Sequence, residues 1–292
     1  MLTTLKNDVL TVTVESKGAE LQSVVGTNGI SYLWDGHAPY WNRHSPTLFP
    51  IIGALRNDFA TSSNGDIHLP KHGFCRSAAF ETVEETDSSV TYRYTDNAET
   101  LAMYPYHFEF FVTHAIDGDT VKTTYEVKNT GDCAMPFCVG GHPAFHVPLV
   151  EGEAFTDYVV EFAENETADC PLIDMNTCLI NDAVTNRLLT DEKSFCLNHI
   201  LFRGDALVFD NLKSKTVKLY SQKCGHGVEM DISEFKTFAV WTMVDDQPFV
   251  CFEPWQGGAT RNSEDDVFEH KNGVVIAAPG ESYRFSYTVK VF

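Results

Sequence analysis

Between Thr120 and Lys128 the side chains change character at every step, with Val121, Thr123, Tyr125 and Val127 on one side and Lys122, Thr124, Glu126 and Lys128 on the other. A backbone whose side chains alternate faces with period two turns such a segment into a half-buried β-strand. The C-terminal stretch repeats the pattern over a longer span, Tyr283, Phe285, Tyr287, Val289 and Val291 alternating with Ser282, Arg284, Ser286, Thr288 and Lys290. Comparable runs predict strands over 9–15, 19–25, 77–84, 88–95, 108–117, 158–162, 207–210, 216–222, 227–233, 237–243 and 249–255. Turn chemistry separates them at Thr27-Asn28-Gly29, Ser63-Asn64-Gly65, Asp117-Gly118-Asp119, Asn129-Thr130-Gly131 and Pro279-Gly280-Glu281. Helical periodicity predicts one short helix, Asn97 to Tyr104, with Asp96 or Asn97 as cap and Pro105 as stop. Many short strands joined by tight turns predict an all-β fold of antiparallel sheets packed as a large sandwich. No linker, composition shift or internal repeat divides the chain, so residues 1–292 are read as one domain.

Composition narrows the partners. A chain of 292 residues can bury close to three quarters of its surface, so a large core is available. The net charge of -20 repels nucleic-acid backbones and anionic lipid alike. The start lacks a basic segment followed by an apolar run, and FAVWTMV and FPIIGAL fall far short of the ~20 residues of a membrane helix. The expectation is a cytoplasmic protein, with no nucleic-acid or membrane partner. Eight scattered cysteines without a CxxC pair read as reduced thiols.

Four segments break the alternation by concentrating Gly, Pro, His, Arg and Trp: residues 40–58, 71–76, 140–148 and 251–258. Prolines and glycines beside ionisable groups suit rigid strand ends whose side chains converge on a cleft. Glu253 shares a strand face with Phe249, Cys251 and Trp255, so partial desolvation would raise its pKa while leaving it largely ionised at neutral pH. The competing reading is an exposed strand-edge Glu. His142, between Gly141 and Pro143, and His72 are candidate proton donors or structural histidines. Arg56 suits vicinal hydroxyls, a phosphate or a plain surface ion pair.

Metal and nucleotide chemistry lack their usual signatures. His142 and His146 are four apart, but Pro143 and Pro148 oppose a helix there and no third ligand follows at the expected spacing, so no metal is expected. Cys224-Gly225-His226 is weaker still. There is no GxGxxG after a strand, no P-loop and no GxSxG elbow.

The ordered set WNRHSPTLFPIIGALRND, KHGFCR, GGHPAFHVPL, LVFDNL and CFEPWQGG resembles the aldose 1-epimerase (galactose mutarotase) family and, in detail, its LacX-like branch. The resemblance runs from about residue 8 to the C-terminus and implies the galactose mutarotase-like β-supersandwich, in agreement with the period-two pattern. It implies that Glu253 is the general base, His142 the general acid and His72 the second site histidine, with Arg56 and Asp210 binding the sugar. A departure is GGHPAFHVP, where well-studied mutarotases carry an Asn before the histidine and aromatic residues after it; this bears on substrate identity rather than on proton chemistry. Trp255, Phe74 or Phe145 would supply an apolar wall, or ordinary core. In the implied reaction a base takes the C1 hydroxyl proton while an acid protonates the ring oxygen, and each contributes about 10²–10⁴-fold, so the pair suffices without metal or cofactor. An anionic Glu253 would keep His142 protonated.

Several functions stand open at this point: a mutarotase of a free aldose, a hexose-6-phosphate mutarotase with Arg43, Arg56 and Arg76 as a cationic pocket, and a non-catalytic sugar-binding module. A glycoside hydrolase would need a second carboxylate about 5–10 Å from Glu253. The implied partner is a small aldose or aldose phosphate, and the chain is a monomer or a homodimer.

Overall fold

The computed structural model describes residues 1–292 and is built mostly of β-strands, every paired set of which runs antiparallel. A nine-stranded sheet runs in the order Ile180–Cys196, Tyr158–Ile173, Thr216–Ser221, Gly227–Asp231, Ser282–Val291, Thr120–Asn129, Phe108–Asp117, Ser89–Thr95 and Glu81–Glu85. Its centre is the pair predicted most directly from alternation, with Tyr125 opposite Phe285 on one side and opposite Val112 on the other. The aligned registers put Val121, Thr123, Tyr125 and Val127 on the buried face, as the sequence pattern requires.

A second sheet follows the order Leu207–Asp210, Thr237–Trp241, Phe249–Gln256, Val139–Gly141 and Thr47–Leu48, with Ala144–His146 also paired to Phe249–Gln256. All eight residues of Phe249–Gln256 are buried, because this strand is covered on both faces. Side chains of the two sheets, among them Phe110, Tyr125, Phe238 and Phe252, meet with Phe49 and Phe137 in one contiguous cluster of 56 buried residues. The N-terminal strands Leu2–Lys6, Leu10–Glu15 and Glu20–Gly26 form a separate three-stranded sheet packed on that core.

The one α-helix spans Ala98–Met103. The Asn97 side chain accepts from the backbone N–H groups of Glu99 and Thr100, and the Thr100 hydroxyl accepts from the N–H of Asn97, so each satisfies a donor the helix cannot. No helix is long and apolar enough to cross a membrane, and all eight cysteines are free thiols.

Candidate active site

The cavity forms where the second sheet interrupts its own pairing. Val139–Gly141 pairs with the end of Phe249–Gln256, through Val139 opposite Gln256 and Gly140 opposite Trp255. Ala144–His146 pairs with the start of the same strand, through Ala144 opposite Cys251. His142 and Pro143 bridge the two registers, and the kink sets the imidazole over Glu253. Gly140 has to be a glycine, since a Cβ there would sit 2.7 Å from the Pro254 carbonyl oxygen. Lys71-His72-Gly73 approaches from a turn in which His72 itself has φ of 67°. Gly73 has φ of 70°, and a Cβ there would collide with the Phe49 carbonyl at 2.2 Å.

The result is a cavity of about 220 Å³ lined by Trp41, Lys71, His72, Arg76, His142, Asp205, Trp241, Glu253 and Trp255 among others. Ligand clefts for drug-sized molecules run to roughly 300–1,000 Å³, so this one suits a single small polar molecule. The Trp41 indole stacks on His142 with centroids 5.0 Å apart, Trp241 meets it edge-on at 5.5 Å, and His72 lies edge-on at 5.7 Å. These rings fix the imidazole and give the cavity an apolar wall.

At the floor, His142 Nε2 lies 3.2 Å from Glu253 Oε2. The contact is not aligned as a hydrogen bond, so Glu253 Oε2 is buried without a hydrogen-bonding partner; the other imidazole nitrogen, His142 Nδ1, and the Trp255 indole N–H also lack one. Burial pushes the Glu253 carboxyl well above the usual carboxylate range, helped by the Asp205 charge and opposed by Lys71 and the Trp255 indole. Burial likewise lowers His142 to about 3, its own backbone opposing and Lys71 and Arg76 adding to the shift. Both displacements favour the neutral carboxyl and the neutral imidazole over the ion pair. This corrects the sequence expectation that an ionised Glu253 holds His142 protonated: desolvation outweighs the attraction of the pair. His72 is neutral too, for burial lowers it well below 6.5. Its Nδ1 accepts from the Gly53 N–H at 3.2 Å, which leaves the proton on Nε2 as a free donor.

Five nominated residues, Glu253, His142, His72, Arg76 and Trp255, line the cavity. Arg56 and Asp210 do not. The Arg56 guanidinium is engaged by Asp266 at 2.9 Å and by the carbonyls of Arg261, Asn262 and Glu264. Asp210 ends the strand Leu207–Asp210, where Arg261 and the Thr237 hydroxyl donate to its carboxylate. Both therefore brace the Arg261 loop and stand outside the cavity lining. Phe145 is buried core rather than wall, and Phe74 packs against the main core. Lys71, Asp205, Trp41 and Trp241 were not nominated. The carboxylate of Asp205, five residues before Asp210, has no protein partner, and its φ of 70° marks a turn that the chain does not adopt by default. Trp41 and Lys71 stood inside quoted motifs, so their position beside His72 and in the aromatic segment was the available signal.

A metal could be held only by a trio other than the His142/His146 spacing: His142, Cys251 and Glu253 are all buried, with ligand atoms within 4.8 Å of one another.

The aldose 1-epimerase family model matches residues 1–290. The chain belongs to the aldose 1-epimerase family. It is 36% identical over 293 residues to the chromosomal and plasmid LacX proteins of Lactococcus lactis subsp. lactis, covering 98% of each chain in both cases. Its fold matches a galactose mutarotase related enzyme of Lactobacillus acidophilus with TM-score 0.94 and 30% identity, covering all of this chain and 97% of that one. A galactose mutarotase-like protein of Lactobacillus casei matches with TM-score 0.92 and 27% identity over the full length of both. Membership supports a mutarotase-like isomerase class with a small carbohydrate as its partner.

Proposed function

We propose that this member of the aldose 1-epimerase family exchanges the α and β anomers of an aldose, with Glu253 accepting the C1 hydroxyl proton and His142 donating to the ring oxygen. One observation carries the reading: a carboxyl and an imidazole 3.2 Å apart on the floor of a sugar-sized cavity, each with a buried polar atom that no protein group satisfies. Buried polar groups are nearly always paired, and a sugar hydroxyl or ring oxygen in the cavity would supply the missing partners.

The proton count agrees with the chemistry. Ring opening needs an ionised Glu253 and a protonated His142, and it leaves Glu253 protonated and His142 neutral. The second state is the one burial favours. Opening the hemiacetal thus moves the pair toward its resting condition, rotation about C1–C2 exposes the other face of the aldehyde, and closure reverses both transfers. Closure thereby puts the proton back on His142 and the charge back on Glu253, so the pair is ready for the next turnover. The His72 Nε2–H donates to a ring or hydroxyl oxygen, and Asp205 accepts from hydroxyls and fixes orientation.

A second reading, an aldose phosphate, is favoured by the cations. Lys71 and the half-buried Arg76 both line the cavity, and neither side chain makes a salt bridge or a hydrogen bond, the nearest acid acting on Arg76 being Glu20. A phosphate would supply one. The deciding experiment follows anomer exchange of D-glucose, D-galactose and their 6-phosphates by NMR. The mutarotase reading expects exchange faster than in buffer and a drop of at least about 10² in Glu253→Gln and His142→Asn. If no sugar of the panel exceeds buffer, the reading fails. A preference for the phosphates that Arg76→Ala abolishes selects the second reading, and equal rates select the free aldose.

A further inference from the structure

Cys251 takes no part in the proton chemistry, yet it stands two residues before Glu253 on one strand and therefore on the same face. It is fully buried in a small cluster with Trp34, Ala144 and Phe249, beneath Trp41 and Trp241. Its sulfur, an imidazole nitrogen of His142 and a Glu253 oxygen lie within 4.8 Å of one another, and His142 Nε2 is already 3.2 Å from Glu253 Oε2. Thiolate, imidazole and carboxylate ligands at 2.0–2.3 Å around a tetrahedral ion are separated from each other by roughly 3.3–3.8 Å. The His–Glu separation is already near that range, and Cys251 needs a shift on the order of 1 Å. Three protein ligands with the fourth direction open to the cavity is a complement typical of zinc.

We propose that His142, Cys251 and Glu253 form a binding site for a thiophilic divalent cation, zinc, cadmium or cobalt, and that its occupation switches off anomer exchange. The unpartnered Glu253 oxygen, 2% exposed as a residue and facing the cavity, is the independent mark of a ligand position. On binding, the Cys251 thiol and the Glu253 carboxyl each release their proton to solvent, and the imidazole gives its Nε2 lone pair. The two anionic ligands then balance the dication, which suits a buried site. The thiolate selects against magnesium and calcium, which prefer oxygen donors. The metal-binding claim stands alone; the loss of exchange rests on the proposed roles of Glu253 and His142.

The test begins with full-length protein stripped by a chelator and titrated with Co²⁺. A thiolate-to-cobalt charge-transfer band saturating at one ion per chain is expected, lost in Cys251→Ser and weakened at least tenfold in Glu253→Gln. Excess Mg²⁺ should leave the band, and Zn²⁺ should displace it. In the exchange assay Zn²⁺ should inhibit the wild type reversibly, and Cys251→Ser should keep its activity while requiring at least tenfold more Zn²⁺. Absence of a band, a band that survives Cys251→Ser, or equal Zn²⁺ sensitivity of an active Cys251→Ser each overturns the proposal. Should Cys251→Ser fail to fold, Cys251→Ala takes its place, with folding checked by circular dichroism. A protein that exchanges no sugar yet shows the Cys251-dependent band retains the site and refutes only the proposed function.

Discussion

His114 and His142 are both buried imidazoles, 2% and 7% exposed, and their surroundings are opposite. His114, on the nine-stranded sheet, has both ring nitrogens engaged, Nδ1 with the Thr123 hydroxyl at 3.0 Å and Nε2 with the Ala19 carbonyl at 2.9 Å. His142 has an unpartnered Nδ1 and a misaligned contact to Glu253. The buried acids divide the same way. Glu20 accepts from the backbone N–H groups of His44 and Ser45, and Glu166 accepts from the N–H and hydroxyl of Ser214. Glu253 keeps an oxygen unsatisfied. His114, Glu20 and Glu166 have their hydrogen bonds completed by the fold, whereas the two titratable groups at the cavity floor, Glu253 and His142, each keep an atom without one.

The largest expected effect follows from that contrast. Glu253→Gln and His142→Asn should lower anomer exchange by about 10²–10⁴-fold while Tm holds or rises, since an unpartnered buried acid is a burden to the fold. Glu166→Ala should do the converse, costing about 1–3 kcal/mol of stability and leaving the rate per folded molecule unchanged. Chemical denaturation and NMR exchange on the same samples would check both. A Glu253→Gln that loses stability and keeps its rate would erase the distinction.

Next in size is a pH effect that separates the two histidines. Burial lowers His114 from the ordinary 6.5 to about 4, so the unfolded chain binds a proton there before the native one does. Its contribution is present in full above 6.5 and is lost as pH falls toward 4, by about 3 kcal/mol. In His114→Gln, proton uptake on unfolding across that window should fall by about one, as measured by the pH dependence of denaturation midpoints. Exchange should behave differently. The active pair carries one proton, so kcat/KM should show no acidic limb near 6.5 and should decline on the alkaline side, where Glu253, raised well above 4.5, finally ionises. An acidic limb at an ordinary histidine pKa would contradict the shielded pair.

The same division explains what could be read in the sequence. Strands covered on one face announce themselves by alternation, which is why 108–117 and 120–128 coincide with the sheet centre and Asn97 with the helix cap. Ile180–Cys196 does not, because as the edge of the sheet it exposes nearly all of its side chains and has no apolar face to betray it. Tyr158–Ile173 was legible only over 158–162, before its side chains turn mostly polar. At the cavity, Glu253 and His142 were legible from strand alternation and motif. Their charge state was not, because desolvation depends on Trp41 and Trp241 arriving from distant segments. That Arg56 and Asp210 would meet the Arg261 loop rather than line the cavity was not legible, because charge identity says nothing about which partner a side chain meets.

The smallest expected effect tests that last point, by comparing two acids five residues apart. Asp205 lines the cavity with a free carboxylate, whereas Asp210 is held by Arg261 and Thr237. A charged hydrogen bond to a bound hydroxyl is worth about 1.5–3 kcal/mol, so Asp205→Asn should raise KM for the preferred sugar by at least about tenfold. It should also return the Glu253 carboxyl toward its ordinary range, since the Asp205 charge is part of what raises it, and so shift the alkaline limb of kcat/KM to lower pH. Asp210→Asn should leave KM and that limb within about twofold and act on stability instead, by loosening Arg261, as half-exposed ion pairs do at about 0–1 kcal/mol. If Asp210→Asn rather than Asp205→Asn moves KM, the Arg261 loop must open when sugar binds, and the cavity wall would then include the strand end that carries Asp210.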